Sequence, residues 1–331
     1  MLWHEILAAA AQSWPPFVLV AGLLMIGAAA AADGLFEAAG AGVARIGLPP
    51  RALLLVLLAL VALVTAILNL DTSVVFMTPV LVHAARRCGT SERPFLYGSV
   101  FMANSASLLL PGSNLTNLLV LRGAGGGQAM FRAWIASCAL TAAFVVVALR
   151  PQARVPEAGG ADSLRVGVGV AAVAIAAVLV VAVREPALPV LAVGLCATAV
   201  RRELPHVDGP TLAALFGLAV SLGTLARAWH APGAMLAASG TWTTAATSAA
   251  ASVLLNNLPA AVLFSAQPPA HPSALLVGLD LGPNLAVTGS LSAFLWLRAA
   301  RALGAEASVT TYSSLGVLLV PLTIAGALCA S

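Results

Sequence analysis

Asp71 and Asp280 are the only acidic residues set well inside long apolar runs. An aspartate at the centre of a membrane helix costs about 2.5–3.5 kcal/mol, so acids at that depth face a pathway and carry protons or coordinate cations. Each could also cap a half-helix N-terminus, as Asp71 does if a helix opens at Thr72-Ser73, and the two roles can coexist. Neutral donors and helix breakers surround both acids: Asn69, Thr72 and Ser73; Ser113, Asn114, Thr116 and Asn117 in PGSNLTN; Asn256 and Asn257 before Pro259; Gly282, Pro283, Asn284, Thr288 and Ser290 after Asp280. Amide and hydroxyl oxygens are hard ligands of the kind Na⁺ or a hydroxylated solute accepts. Broken helices add free N–H groups that favour anions or polar neutral solutes, and free carbonyls that favour cations.

Blander readings stand beside these. Asn256-Asn257-Leu258-Pro259 could be a plain proline turn, and Ser113–Asn117 could cap a surface loop because Arg122 follows. Ser105 and Ser107, among small residues, suit helix packing. His83, beside Arg86 and Arg87, reads as interfacial, while His206, His230 and His271 fall in loops. No histidine falls in the polar motifs, no GxSxG, HExxH or P-loop occurs, and the four cysteines form no CxxC. Neither an enzyme, a cofactor, a structural metal nor a disulfide framework is expected.

The 331 residues are 60% hydrophobic and 8% charged, with a mean hydropathy of +1.00. Soluble domains carry roughly a quarter charged residues, so this is a multi-pass integral membrane protein whose first partner is the lipid bilayer. The net charge of +4 comes from arginine, since lysine is absent, and no nucleic-acid partner is needed to explain it. The start, MLWHEILAAAAQSWPPF, lacks the basic region of a cleavable signal and reads as mature sequence.

Apolar spans are expected at Trp14–Ala32, Phe131–Leu149, Leu164–Val183, Ala187–Val200, Thr211–Trp229 and Val309–Ala330. Ala52–Ala85 and Thr241–Ala266 are too short for two crossings of about twenty residues each and are polar in the middle, which predicts re-entrant hairpins. Phe95–Val120 and Ser273–Leu297 are single spans broken by Gly, Pro and Asn. The expected fold is an all-α polytopic membrane protein of two inverted repeats, each with a re-entrant helical hairpin and a broken transmembrane helix. It forms one transmembrane transporter domain, with repeat one at about 14–150 and repeat two at about 164–331. With both hairpins re-entrant, twelve of the sixteen arginines (45, 51, 86, 87, 93, 150, 154, 165, 201, 202, 298 and 301) share one side. Arg122, Arg132, Arg184 and Arg227 take the other. That bias makes the first side cytoplasmic and puts both termini outside. Arg227 reads as a snorkelling residue near a span end, and most of the six tryptophans fall near interfaces.

The motifs LNLDTSVVFMTPVL, NSASLLLPGSNLTN, SVLLNNLPAAVLFSA and DLGPNLAVTGSLSAFLWLR, in this order, resemble the arsenical pump membrane proteins, the arsenite/antimonite permeases of the ion transporter superfamily. GLFEAAGAGVARIG and the final span also fit, so the resemblance covers nearly the whole chain. The superfamily includes sodium/proton antiporters and di- and tricarboxylate transporters. The resemblance implies a bacterial inner-membrane secondary transporter, with solute and coupling H⁺ or Na⁺ bound between two hairpins and two unwound helices. Efflux of arsenite or antimonite is the first expectation, and sodium/proton antiport or carboxylate symport the alternative. A homodimer or an auxiliary cytoplasmic ATPase subunit is the protein partner it suggests. Two positions depart: where the family has Asp and Lys, this chain has Asn104 and Asn284, as if a buried ion pair had been replaced by neutral groups. The chain is also shorter than the family pattern by about two N-terminal spans.

Overall fold

A computed structural model describes residues 2–121, 127–153, 167–183, 185–202, 209–229, 231–265 and 268–331. Arg122, Arg154, Arg165, Arg184, His206, His230, residues 164–166 of one expected span and Ala266 of another lie outside them, as does the side chain of Arg227. The described chain is helical, with one isolated β-bridge between Thr90 and Ala153. Hydrocarbon offers no hydrogen-bond partners, so apolar runs of this length satisfy their backbone internally, as helices.

In chain order the helices are α1 (Leu2–Ala32), α2 (Leu35–Ala44), α3 (Pro50–Ile67), α4 (Leu70–Arg87), α5 (Arg93–Ala106), α6 (Leu115–Leu121) and α7 (Gly127–Leu149). They continue as α8 (Val168–Ala182), α9 (Ala187–Arg201), α10 (Gly209–Ala228), α11 (Ala231–Ala237) and α12 (Thr241–Leu255). The last four are α13 (Asn257–Phe264), α14 (Pro272–Leu281), α15 (Leu291–Ala302) and α16 (Val309–Ala330). Among the described residues, α1, α3, α7 and α16 are long and apolar enough to cross a bilayer by themselves.

Both expected hairpins are present. In the first, α3 and α4 meet at Leu68-Asn69; in the second, α12 and α13 meet at Asn256. The arms of the second have 15 and 8 residues, about 22 and 12 Å at 1.5 Å per residue, so neither spans a bilayer core of about 30 Å. Those of the first have 18 residues each, about 27 Å, and there length alone does not require re-entrance. Both expected breaks are also present. One runs between α5 and α6 with a 3₁₀ turn at Pro111–Ser113, the other between α14 and α15 with 3₁₀ turns at Gly282–Leu285 and Val287–Gly289.

Contacts at one end of the bundle gather the arginines. Arg86 pairs with Glu92 at 2.7 Å and donates to the Leu303 carbonyl at 3.1 Å, while Thr90 bonds the Gln152 carbonyl at 3.1 Å. These tie the ends of α4, α7 and α15 to the start of α5. Nearby, Asp33 after α1 is 5% exposed, ion-pairs with Arg201 at the end of α9, and accepts from the N–H groups of Gly169 (2.7 Å) and Val170 (3.2 Å) in α8. Arg86, Arg87, Arg93, Arg150, Arg201, Arg202, Arg298 and Arg301 therefore share one end, as the charge bias predicts.

The structure adds to these expectations at three places. Helix α1 begins twelve residues before Trp14 and carries Pro15 and Pro16 inside it. The short helices α2 and α11 were not expected as elements. Trp296 is fully buried, at the centre of a cluster with Tyr97 (5.2 Å between ring centroids) and Tyr312 (5.3 Å) that locks α5, α15 and α16 together.

Candidate functional site

The hairpin tips and the breaks meet around one hollow. Asn69 N-caps α4 by accepting from the Thr72 N–H at 2.8 Å, in extended backbone that starts a helix at depth. Ser290 caps α15 through the Ala293 N–H at 3.1 Å. Asn256 accepts from the Leu258 N–H at 3.4 Å at the start of α13, and its own amide holds the Thr288 carbonyl at 3.2 Å. The Asn256 backbone has φ 75° and ψ 148°, a region that L side chains rarely adopt.

A recess of about 40 Å³ lies where these starts converge, walled by Leu70, Asp71, Asn114, Leu115, Asn256, Asn257, Leu258, Pro259, Ser290, Leu291 and Ser292, with Pro16, Phe17, Leu218 and Ala219 behind. It shares Pro16, Leu70, Asp71, Asn114 and Leu115 with a cavity of about 500 Å³ that also takes in Asn69, Gly112, Ser113 and Glu185. Pro15 and Pro16 have no N–H for the carbonyls of residues 11 and 12, and Ala11 lines the same cavity. Asp71 is half-buried and has no hydrogen-bond partner among the described residues. Among the described residues, no arginine or histidine lines either space.

Asp280 is placed differently. It lies in the last turn of α14, 1% exposed, behind the recess. Its Oδ1 accepts from Asn114 Nδ2 at 2.9 Å and Thr116 Oγ1 at 2.7 Å, and Oδ2 has no partner. Asp280 thereby clamps the first break to the second. Asn117 holds the break it belongs to, donating to the carbonyls of Ser107 (2.7 Å) and Leu110 (2.9 Å). Asn284 is fully buried and accepts from Asn104 Nδ2 at 2.8 Å, so the two neutral departures face each other. Tyr312 donates to the Pro283 carbonyl at 3.0 Å. Gly282 is a close approach: a Cβ there would stand 2.5 Å from Ser252 Oγ and 2.7 Å from Ala249 Cα.

The sequence profile of the citrate transporter (CitMHS) family matches residues 1–282. The chain belongs to the citrate transporter family. As a member of it, the chain is a secondary membrane transporter, a carrier and not an enzyme. Among curated proteins none matches the sequence. Among solved structures, the Alcanivorax borkumensis YdaH transporter, described as having an unusual topology, matches with a TM-score of 0.52 and 13% identity over 98% of this chain and 86% of that one. At that identity the likeness is one of fold. The matching profile is that of the citrate transporter family and not of the arsenical pump branch.

Of the residues singled out in the sequence, Asn69, Asp71, Ser113, Asn114, Asn256, Asn257 and Ser290 line the two connected spaces. Thr72, Ser73, Thr116, Asn117, Asp280, Gly282, Pro283 and Asn284 are buried behind them, and Thr288 is exposed, bonding the Val253 carbonyl at 3.1 Å. Asp71 does not cap α4, because Asn69 does, and Asp280 stands at a helix end that offers no free N–H. Ser105 packs helices as expected, bonding Thr141 of α7 at 2.7 Å. The walls from α1 and α10 escaped sequence reasoning; the Pro15-Pro16 pair was the available signal. No cluster of metal-ligating side chains is present among the described residues.

Proposed function

We propose that the chain is an ion-coupled carrier of a small carboxylate, with Asp71 taking the coupling proton or cation. The observation that carries this is the convergence of the first turns of α4, α13 and α15 on one recess. The N–H groups of those turns that the Asn69, Asn256 and Ser290 caps leave free carry a partial positive charge, about +0.5 per helix end, and receive an anion with no arginine among the described lining residues. Citrate, the solute in the family's name, has that chemistry. Asp71 supplies the coupling. A carboxylate held about 6 Å from its charge is repelled by about 2.8 kcal/mol at an effective dielectric of 20, roughly a hundredfold in affinity. Protonation or a cation on Asp71 removes that repulsion, so solute and ion bind together.

The inverted-repeat relation belongs to the same reading: the order α1 to α7 recurs as α10 to α16, each with a hairpin followed by a broken helix. So does residence in a bacterial inner membrane. Efflux of arsenite or antimonite is the second reading. The amide and hydroxyl groups of the lining (Asn69, Ser113, Asn114, Asn256, Asn257 and Ser290) favour it, since arsenite near neutral pH is an uncharged trihydroxy species.

The test is flux in proteoliposomes with imposed pH and Na⁺ gradients and labelled citrate, succinate or arsenite. Gradient-driven citrate or succinate accumulation is expected, with Asp71→Asn losing accumulation by at least about tenfold while retaining solute exchange. Movement of arsenite alone transfers the assignment to the second reading. Asp71→Asn accumulating as well as the wild type removes the coupling role.

A further inference from the structure

A second cavity, of about 410 Å³, opens at the arginine-rich end between α1, α2, α4 and α15. It is aligned with the solute cavities. On α4 they end at Asp71 and it begins at Val75; on α15 they end at Ser292 and it begins at Leu295; on α1 they end at Leu19 and it begins at Leu24. At 1.5 Å per residue the septum is about 4.5–7.5 Å thick. Val20, Leu23, Val74 and Ala293 fill it, each no more than 1% exposed.

Three ionisable side chains from three elements converge on the wall of this cavity: Glu37 of α2, His83 of α4 and Arg298 of α15. His83 Nε2 lies 3.4 Å from Glu37 Oε1; the side chains are 18% and 29% exposed, with His83 Nε2 and Glu37 Oε2 themselves buried. Glu37 Oε2 has no hydrogen-bond partner among the described residues. Gly40 sets the spacing, since a Cβ there would stand 2.7 Å from His83 Cβ. The α1 wall is uncharged (Leu24, Gly27, Ala28, Ala31). On α4 itself Arg86 is engaged by Glu92 and the Leu303 carbonyl, and Arg87 follows it.

The face of α4 joins the two ends. Asp71, Val75, Pro79 and His83 recur at i, i+4, i+8 and i+12, one row of one helix. Pro79 has no N–H to give the Val75 carbonyl, which leaves a polar step midway along that row. We propose that the Glu37–His83 pair is the proton-exchange site of the arginine-rich end, serving Asp71 along this face of α4. The inference rests on the reading that Asp71 carries the coupling proton. A proton from cavity water adds to the His83 imidazole, which is the side chain suited to gaining and losing charge between pH 5 and 8. Glu37 stabilises the imidazolium and Arg298 opposes it. When water enters the septum the proton leaves nitrogen for that water and arrives on the Asp71 carboxylate, so one N–H bond is broken, one O–H bond is formed, and nothing is oxidised.

Two measurements on the full-length chain test this. The first is histidine-labelled NMR in nanodiscs, with His83→Gln assigning the His83 signal. His83 should titrate between pH 5 and 8 and be reached by a water-soluble relaxation agent; Glu37→Gln should lower its midpoint and Arg298→Gln should raise it. The second is proton entry into pyranine-loaded proteoliposomes with citrate present. His83→Ala should slow entry at least about tenfold with the citrate KM unchanged, and added imidazole should restore it. A His83 that does not titrate, that the agent does not reach, or that ignores Glu37→Gln overturns the proposal. So does undiminished proton entry in His83→Ala, or a slowing that imidazole does not rescue, which marks a structural pair. If the wild type moves no citrate, the carboxylate reading fails while the NMR measurement still decides this one.

Discussion

The amide pair at Asn104 and Asn284 can be perturbed in a way whose cost follows from its geometry. Both side chains are 0% exposed, and Asn104 Nδ2 donates to Asn284 Oδ1 at 2.8 Å. Asn104→Asp removes that donor and sets a carboxylate against a carbonyl oxygen. The Asn284 amide can turn its NH₂ toward the new carboxylate, because its present bond to the Phe101 carbonyl is long at 3.4 Å. The hydrogen bond is then recovered, but the buried charge is not compensated. An unpaired buried charge of this kind costs about 3–5 kcal/mol. Asn284→Lys alone should cost a similar amount. At roughly 2–4 °C per kcal/mol, each single variant should unfold about 6–20 °C below the wild type in detergent, followed by heat-induced aggregation or tryptophan fluorescence. The double variant, Asn104→Asp with Asn284→Lys, should recover at least half of the summed loss, a coupling of at least about 3 kcal/mol. Recovery should be incomplete because lysine is longer than asparagine. An Asn104→Asp variant within about 2 °C of the wild type would show that water reaches the pair. A double variant as unstable as the sum of the singles would show that the two residues are not partners.

Asp33→Asn should lower the melting temperature by an amount corresponding to about 2–4 kcal/mol, since it discharges the ion pair with Arg201 and weakens two bonds to the start of α8; hydrogen exchange at Gly169 and Val170 should quicken with it, and unchanged exchange would contradict the cap. Gly282→Ala should cost about 1–3 kcal/mol through overpacking, and adding Ser252→Gly should restore part of the melting temperature by relieving the 2.5 Å approach but not the one to Ala249; a stable Gly282→Ala would mean that α12 and α14 are free to separate.

The hairpins and breaks were legible because polar residues at Asn69, Asp71, Pro111–Asn117, Asn256 and Gly282–Asn284 interrupt long apolar runs, and hydrocarbon makes such interruptions costly. Their grouping was only half legible. Asp71 and Asp280 looked alike, each an acid in an apolar run, yet one lines the recess and the other is clamped behind it by Asn114 and Thr116, more than 160 positions away. Sequence periodicity does not separate these cases, since a span that is apolar all round hides which face meets lipid and which meets protein. The same uniformity hid the walls supplied by Phe17 and Leu218. The aromatic belt places most tryptophans near interfaces but does not single out Trp296, whose Nε1–H bond to the Leu96 carbonyl at 2.8 Å is a tertiary fact. His83 appeared merely interfacial until α2, an element too short to register as a span, brought Glu37 to it.

The backbone of Asn256 has a bearing on which substitutions the second hairpin will accept. At φ 75° and ψ 148°, asparagine sits where glycine is at ease and other residues are strained by about 1–3 kcal/mol. Its two side-chain bonds, to the Leu258 N–H and the Thr288 carbonyl, offset that strain. Among sequence variants of this carrier, position 256 should therefore admit asparagine, which replaces comfort with contacts, or glycine, which gives up the contacts and relaxes the tip. Alanine, lacking both advantages, should be the rarest of the small residues there.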